Sequence, residues 1–119
     1  MLTELKNVLQ RPKGLRRRWF QSRNEDLIVW YSRNGHICGF QFCYAGHRGE
    51  RALTWKAGKG FSHHRVDDGE DDPLTYKRTP ILVPNGALYP KAVRARFDAI
   101  SLRLPRTVAF LVRKKLLEL

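Results

Sequence analysis

The segment HHRVDDGEDD, residues 63–72, holds the densest group of side chains in the sequence that could do chemistry. Two histidines, one arginine and five carboxylates fall within its ten residues. Carboxylates are the ligands that Ca²⁺ and Mg²⁺ prefer, and a histidine beside a carboxylate can act as a general acid or base. Asp and Gly also favour turns. The segment therefore has three interpretations: a metal site, a catalytic loop or a solvated turn.

The spacing of these residues argues against a metal site. Gly69 comes too early for a calcium-binding loop, and no glutamate stands at its far end. His63 and His64 are adjacent, so on a strand their side chains point to opposite faces and cannot bind one ion together. A zinc set of His36 and Cys38 with one of these histidines lacks the paired spacing typical of zinc sites. The sequence predicts neither a metal nor another cofactor.

The catalytic interpretation lacks a nucleophile motif and a phosphate-binding loop. There is no G-x-S-x-G sequence, and Gly58, Lys59 and Gly60 do not reproduce the spacing of a P-loop. The sequence therefore assigns no catalytic residue and leaves open whether the protein is an enzyme. A solvated turn is the favoured interpretation, in which Arg51 or Arg65 pairs weakly with the carboxylates. The same loop, folded over a basic surface, would compete with a polyanion.

Positive charge is the strongest feature of the composition. The 119 residues include 23 Lys and Arg against 11 Asp and Glu, for a net charge of +12. The excess lies in residues 1–60 and 89–119, whereas residues 61–88 are net acidic. A polyanion such as nucleic acid is the first partner to consider. A solvated basic surface that binds nothing specific would have the same composition.

Arginines and aromatic residues occur together in RPKGLRRRWF, residues 11–20. Guanidinium groups match phosphate oxygens, and a neighbouring aromatic ring can stack on an unpaired base. Tyr31 and Trp55 would add a stacking platform if they were exposed on one sheet face. RTVAFLVRKKLLEL, residues 106–119, is both basic and amphipathic, which suits an anionic surface or an acidic partner. The predicted nucleic-acid-binding or anion-binding residues are Arg11, Lys13, Arg16, Arg17, Arg18, Trp19, Arg113, Lys114 and Lys115.

Strand patterns occupy the middle of the sequence. β-branched and aromatic runs predict strands at about 26–32 and 36–45, and Asn34-Gly35 between them favours a type I′ hairpin turn. RALTWK and FSHHRV follow after short turns that contain glycine, which is typical of an antiparallel meander. LTYKRT is a possible further strand, and the flanking prolines place PILVP at a sheet edge or at the end of a strand.

Helical spacing marks the two ends of the chain. Residues 2–10 are predicted to form a short amphipathic helix through Leu2, Leu5 and Leu9. Two C-terminal helices are predicted from the apolar stripes Val93, Phe97, Ile100, Leu104 and Val108, Leu111, Val112, Leu116. We therefore expect one α+β domain spanning residues 1–119. It has an antiparallel β-meander of four to six strands, a short N-terminal helix and two C-terminal helices packed on one face.

The sequence also bears on compartment and family. It shows no secretory signal and no transmembrane segment, so we expect a cytoplasmic protein whose Cys38 and Cys43 are reduced. The stretches DLIVWYSRNGHICGFQFCY, RALTW, GFSHHRVDDGE and PILVPNG resemble those of a group of short bacterial proteins without an assigned activity. The resemblance covers about residues 26–86. It implies a bacterial cytoplasmic origin and carries over no cofactor or site residue.

Three functional hypotheses follow from the sequence. The first is a non-enzymatic binding module for nucleic acid or another polyanion, acting through its basic surface. The second is a protein–protein adaptor that docks an acidic partner through a sheet edge or the last helix. The third is a small enzyme or metal-binding protein centred on residues 63–72. The sequence leaves the oligomeric state open.

Overall fold

The fold is an antiparallel sheet followed by two helices. The computed structural model describes residues 1–10, 14–46, 49–65 and 88–119. Within these residues each strand pairs antiparallel with the next, in the order of the sequence. The predicted α+β meander is thus confirmed. The elements are β1 (Thr3–Glu4), β2 (Arg16–Gln21), β3 (Glu25–Tyr31), β4 (Ile37–Gly46), β5 (Gly49–Lys56), β6 (Gly60–Arg65), α1 (Pro90–Ile100) and α2 (Arg106–Leu116).

Alternation along the strands gives the sheet two different faces. Phe20, Leu27, Phe42 and Leu53 stand in register across β2 to β5 and are almost fully buried. Phe97 of α1 meets the ring of Phe42 edge to face, with ring centroids 5.7 Å apart. Both helices therefore lie on this side of the sheet, which we call the helix face. The opposite side is called the far face.

Helical periodicity correctly predicted both C-terminal helices. Val93 and Phe97 of α1 are buried, as are Val108, Val112 and Leu116 of α2. The first stripe runs past its helix, because α1 ends at Ile100 and the predicted Leu104 lies in the connection to α2. There, the Leu104 amide bonds to the Ser101 carbonyl oxygen at 3.1 Å, and the Leu104 side chain is still buried. No helix in the described part of the chain is long and apolar enough to cross a membrane.

The predicted N-terminal helix is wrong. Thr3 and Glu4 form an edge strand instead, and Leu5 donates its amide hydrogen to the Trp19 carbonyl oxygen. Leu2 is completely buried, whereas Leu9 is 76% exposed, so the leucines do not form one apolar face. A nine-residue helix is marginal by itself, and pairing with β2 satisfies the same backbone groups.

The turn between β3 and β4 is tight but differs from the predicted type I′. Gly35 has a positive φ of 86°, whereas Asn34 does not. The Gly35 amide bonds to the Ser32 carbonyl oxygen at 3.0 Å, and the Ser32 amide bonds to the His36 carbonyl oxygen at 2.8 Å. These bonds describe a three-residue loop that ends in a left-handed glycine. The loop needs positive φ at one position only, and glycine supplies it.

Several sequence predictions lie outside the described residues. They comprise Arg11 and Lys13, the segment from Val66 to Asp72, and the proposed strands LTYKRT and PILVP.

Candidate nucleic-acid interface

A row of residues crosses four strands on the far face and combines an aromatic ring with flanking cations. Arg17 of β2 stands opposite Trp30 of β3, Trp30 opposite Gly39 of β4, and Gly39 opposite Lys56 of β5. Directly opposed residues in an antiparallel sheet have their Cβ atoms about 5 Å apart. The row therefore places positive charge on both sides of the Trp30 position.

Gly39 leaves space for the Trp30 ring beside β4. A Cβ atom placed on Gly39 would lie 2.9 Å from the Trp55 carbonyl oxygen and 3.3 Å from Cε3 of Trp30. The indole ring thus lies close to the β4 backbone, in space that any other side chain would need. The Trp30 side chain is half-buried in this position.

Trp19 adds a second indole to the far face. It stands opposite Ile28, two residues along β3 from Trp30, so the two tryptophans are diagonal neighbours. Its indole N–H donates to Oδ1 of Asp26 at 3.1 Å, which fixes the ring orientation. The Arg17 guanidinium lies 6.0 Å from the Trp19 ring centroid. Two half-buried indoles and an arginine therefore share one corner of the sheet.

A basic cleft adjoins this corner at the sheet edge. It lies between residues 4–10 and β2, with a volume of about 480 Å³. The Gln10 side chain closes the strand edge, because its amide accepts from the Arg17 N–H at 2.9 Å and donates to the Arg17 carbonyl oxygen at 2.8 Å. The charged residues of the lining are Glu4, Lys6, Arg16, Arg17 and Arg18.

The three consecutive arginines differ in what they contact. Arg18 makes a two-pronged ion pair with Glu4, at 2.6 and 2.8 Å, and this hydrogen bonding lowers the pKa of Glu4. The side chain of Arg17 donates from Nε to the Leu9 carbonyl oxygen at 3.1 Å. Arg16 is exposed and makes no ion pair with any described residue. Arg16 and Arg17 thus keep charge available for a ligand, whereas Arg18 is held by Glu4.

The predicted cations of α2 lie away from the far-face row. Arg113 pairs with Asp98 at 2.9 Å, and Lys115 pairs with Glu118 at 3.1 Å. The Lys115 ammonium also lies 4.7 Å from the Trp55 ring centroid, which attaches α2 to the helix face. Lys114 is exposed. The structure therefore brings Arg17 and Trp19 together on the far face and leaves Arg113 to Lys115 on the other side of the sheet.

A stacking platform of Tyr31 and Trp55 requires both residues to be exposed on one sheet face, and Trp55 does not meet this condition. Both residues face the helices, and Trp55 is only 8% exposed. Strand register decides this, because Trp30 and Tyr31 are neighbours in sequence and necessarily face opposite sides. Trp30 and Lys56 are the residues that sequence reasoning missed. The alternation of side chains along the strands places both residues on one face of the sheet. This pattern could identify them only once it was known which face the helices cover.

The two histidines lie on opposite faces, as expected for adjacent residues in a strand. His63 is buried on the helix face, where Nε2 and the Tyr44 hydroxyl share a hydrogen bond of 2.7 Å. His64 lies opposite Ala52 on the far face, and desolvation lowers its pKa. Among the described residues, no three His, Cys, Asp or Glu side chains are grouped to hold a metal ion. The cysteines Cys38 and Cys43 are free thiols.

No protein-family model matches the chain, and searches of the curated proteins and of the solved structures found no match either. The resemblance to short bacterial proteins therefore stays an expectation. A functional proposal has to rest on the geometry of the sheet.

Proposed function

We propose that the protein binds single-stranded nucleic acid on the far face of its sheet. The observation that supports this is the row Arg17, Trp30, Gly39 and Lys56, with Trp19 beside it. Sheet-based binders of single strands use aromatic side chains to stack bases and cations to contact the phosphates between them. In this row the Trp30 indole, which lies beside Gly39, can stack on a base. Arg17 and Lys56 on its two sides can contact the phosphates.

The tryptophans on the far face and the position of the helices favour a single strand over a duplex. Base stacking needs an unpaired base, since the faces of paired bases are covered by their neighbours. A binder of duplex DNA usually inserts a helix or a β-ribbon into the major groove. Both described helices instead pack on the helix face, with their apolar sides buried against the sheet.

Fluorescence anisotropy with a labelled single-stranded RNA, a single-stranded DNA and a duplex tests the proposal. Binding of a single strand should be preferred, and Trp30→Ala should weaken it by about 1–3 kcal/mol, the usual contribution of one stacked base. Phe110→Ala is the matched control, because Phe110 is an exposed aromatic residue on α2. Equal affinity for the duplex, or equal losses in the two variants, would contradict the proposal.

A second candidate function rests on the outer surface of α2. Phe110 of α2 and Leu117, which directly follows the helix, are each 68% exposed, although the inner face of α2 is well buried. Arg106 and Lys114 are exposed on the same outer side. An apolar pair among cations suits an acidic segment of a partner protein. If this surface is the functional one, Phe110→Ser should abolish capture of such a partner and Trp30→Ala should not.

A further inference from the structure

A row of polar residues crosses the helix face at the other end of the strands. Glu25 of β3 stands opposite Tyr44 of β4, Tyr44 opposite Arg51 of β5, and Arg51 opposite Arg65 of β6. Glu25, Tyr44 and Arg51 are each 8% exposed. Charged residues are seldom buried to this extent without a partner, so each charge in the row requires a counter-charge.

Glu25 already has its partners. Its carboxylate accepts from Nε of Arg96 in α1 at 2.8 Å and from the Ser22 hydroxyl. Burial alone would raise the pKa of Glu25, but the bond from Ser22 and the bond and charge of Arg96 together lower it below the ordinary value. Glu25 is therefore an ionised carboxylate bound to Arg96, and it does not pair with Arg51.

Arg51 is the charge that has no counter-charge among the described residues. Its single hydrogen bond to a described residue runs from Nη1 to the Glu50 carbonyl oxygen at 3.2 Å, and it makes no ion pair with any of these residues. Arg65 stands directly opposite on β6 and is exposed. Like charges directly opposed on neighbouring strands repel each other. A buried guanidinium next to a second one needs an anion between them.

The surrounding groups fit an anion. The Arg96 guanidinium lies 5.7 Å from the Tyr44 ring centroid and uses only Nε for Glu25, which leaves its terminal amino groups free of any bond to the described residues. The charges of Arg51 and Arg96 partly offset the rise that burial causes in the pKa of Tyr44, so both guanidinium groups lie near that phenol. His63 bonds to the hydroxyl of the same phenol.

We infer that Arg51, Arg65 and Arg96 form a binding site for a phosphate group beside the ring of Tyr44. Guanidinium groups bind phosphate oxygens in pairs, and burial strengthens such charge-assisted bonds. Arg65 is exposed and Arg96 is partly exposed, whereas Arg51 is buried. The ligand is either free phosphate or a phosphate monoester.

This site is separate from the proposed nucleic-acid interface. It lies on the helix face instead of the far face. Tyr31, beside the Trp30 row, lies six residue steps from Glu25 along β3, which is about 20 Å of extended strand. A single nucleotide on Trp30 therefore cannot fill the phosphate site, and each proposal can fail without the other.

Thermal unfolding in inorganic phosphate tests the inference, with sodium chloride of equal ionic strength as the reference. Saturating phosphate should raise Tm by about 5 °C or more through preferential binding to the folded chain. Arg65→Gln should abolish the shift, and this exposed substitution should leave the fold intact even if Arg51→Gln does not. Arg33→Gln, at an exposed position in the turn at the other end of the sheet, should keep the full shift. A parallel titration uses a nucleoside monophosphate in place of inorganic phosphate. The ligand whose Tm shift saturates at the lower concentration is the preferred one, which distinguishes a monoester from free phosphate.

Two results would overturn the inference. One is the absence of a phosphate shift in the unaltered chain, or an equal shift in Arg65→Gln. The other is internal neutralisation by the five carboxylates that follow Arg65 in the sequence. In that case, the acidic residues could be replaced by amides, and this would lower Tm when Arg65 is present but not in the Arg65→Gln variant. Phosphate would then leave the Tm of both proteins unchanged. The residues to replace are Asp67, Asp68, Glu70, Asp71 and Asp72.

Discussion

At the scale of single residues, chemical type does not decide function; the contacts of each side chain do. Arg16, Arg17 and Arg18 are identical in type and adjacent in sequence, yet they contact solvent, the Leu9 carbonyl oxygen and the Glu4 carboxylate respectively. The alternation of β2 separates Arg17 from its two neighbours. A run of arginines therefore predicts positive charge but not the number of cations left for a ligand.

Arg18→Gln should lower the free energy of unfolding by about 0.5–1 kcal/mol. The substitution removes the ion pair of Glu4. The loss of stability is limited because the Glu4 side chain is 41% exposed, and exposed ion pairs contribute little. Arg16→Gln should change stability by less than about 0.5 kcal/mol, as is usual for an exposed residue. Urea denaturation measures both values. An Arg18→Gln variant as stable as Arg16→Gln would show that the pair with Glu4 contributes nothing.

Glu25 should make stability depend on pH in the acidic range. Its folded pKa lies below the ordinary value of about 4.5, so the unfolded chain takes up the proton first as the pH falls. The contribution of Glu25 is therefore complete above about pH 4.5 and is lost as the pH falls through the lowered value. Unfolding free energies between neutral pH and pH 3 should decline less steeply for Glu25→Gln. Parallel curves would contradict the assignment.

At the scale of elements, sequence periodicity predicted the helices and strands whose formation depends mainly on local interactions. The α1 and α2 stripes and strands β3 to β6 have strong periodicity, and the structure contains all of them. Residues 2–10 were predicted wrongly because the competing interaction is distant in sequence. The pairing of Thr3 with Gln21 and the burial of Leu2 outweigh a weak helical spacing. The positive φ of Gly35 was predictable, whereas the three-residue loop depends on the register of the two strands.

Phe97 and Phe110 form a matched pair for testing how the helices are held. Phe97→Ala should destabilise the protein by about 3–5 kcal/mol, because Phe97 is fully buried against Phe42. Phe110→Ala should cost less than about 0.5 kcal/mol, because its ring is 68% exposed. Thermal unfolding of the two variants measures the difference. Similar losses would mean that the outer side of α2 is covered in solution, as an interface with a partner would require.

At the scale of the whole molecule, the sheet divides the charges into separate surfaces. The sequence predicted a basic protein and an antiparallel sheet but could not tell which face the helices cover. Because the helices cover the face that holds Tyr31 and Trp55, Trp30 on the opposite face belongs to the candidate site and the other two aromatic residues do not. The same packing places Arg113 and Lys115 on the other side of the sheet, where Asp98 and Glu118 neutralise them. Register and packing of the helices depend on contacts distant in sequence, which no local pattern reveals.

The salt dependence of binding distinguishes a specific surface from net charge alone. If the far-face corner binds a single strand, replacing Arg17 and Lys56 by Gln should reduce the slope of log affinity against log salt by about 1.4, since each phosphate contact contributes about 0.7.

The matched control for this experiment removes the same amount of charge from the helix side. Arg103 and Lys114 are exposed there, and their replacement by Gln should leave the slope nearly unchanged. Anisotropy titrations between about 50 and 200 mM salt give both slopes. Equal reductions in the two double variants would show that the strand responds to the net charge of +12 and not to the row that contains Trp30. A reduction confined to the far-face variant would identify Arg17 and Lys56 as the phosphate contacts.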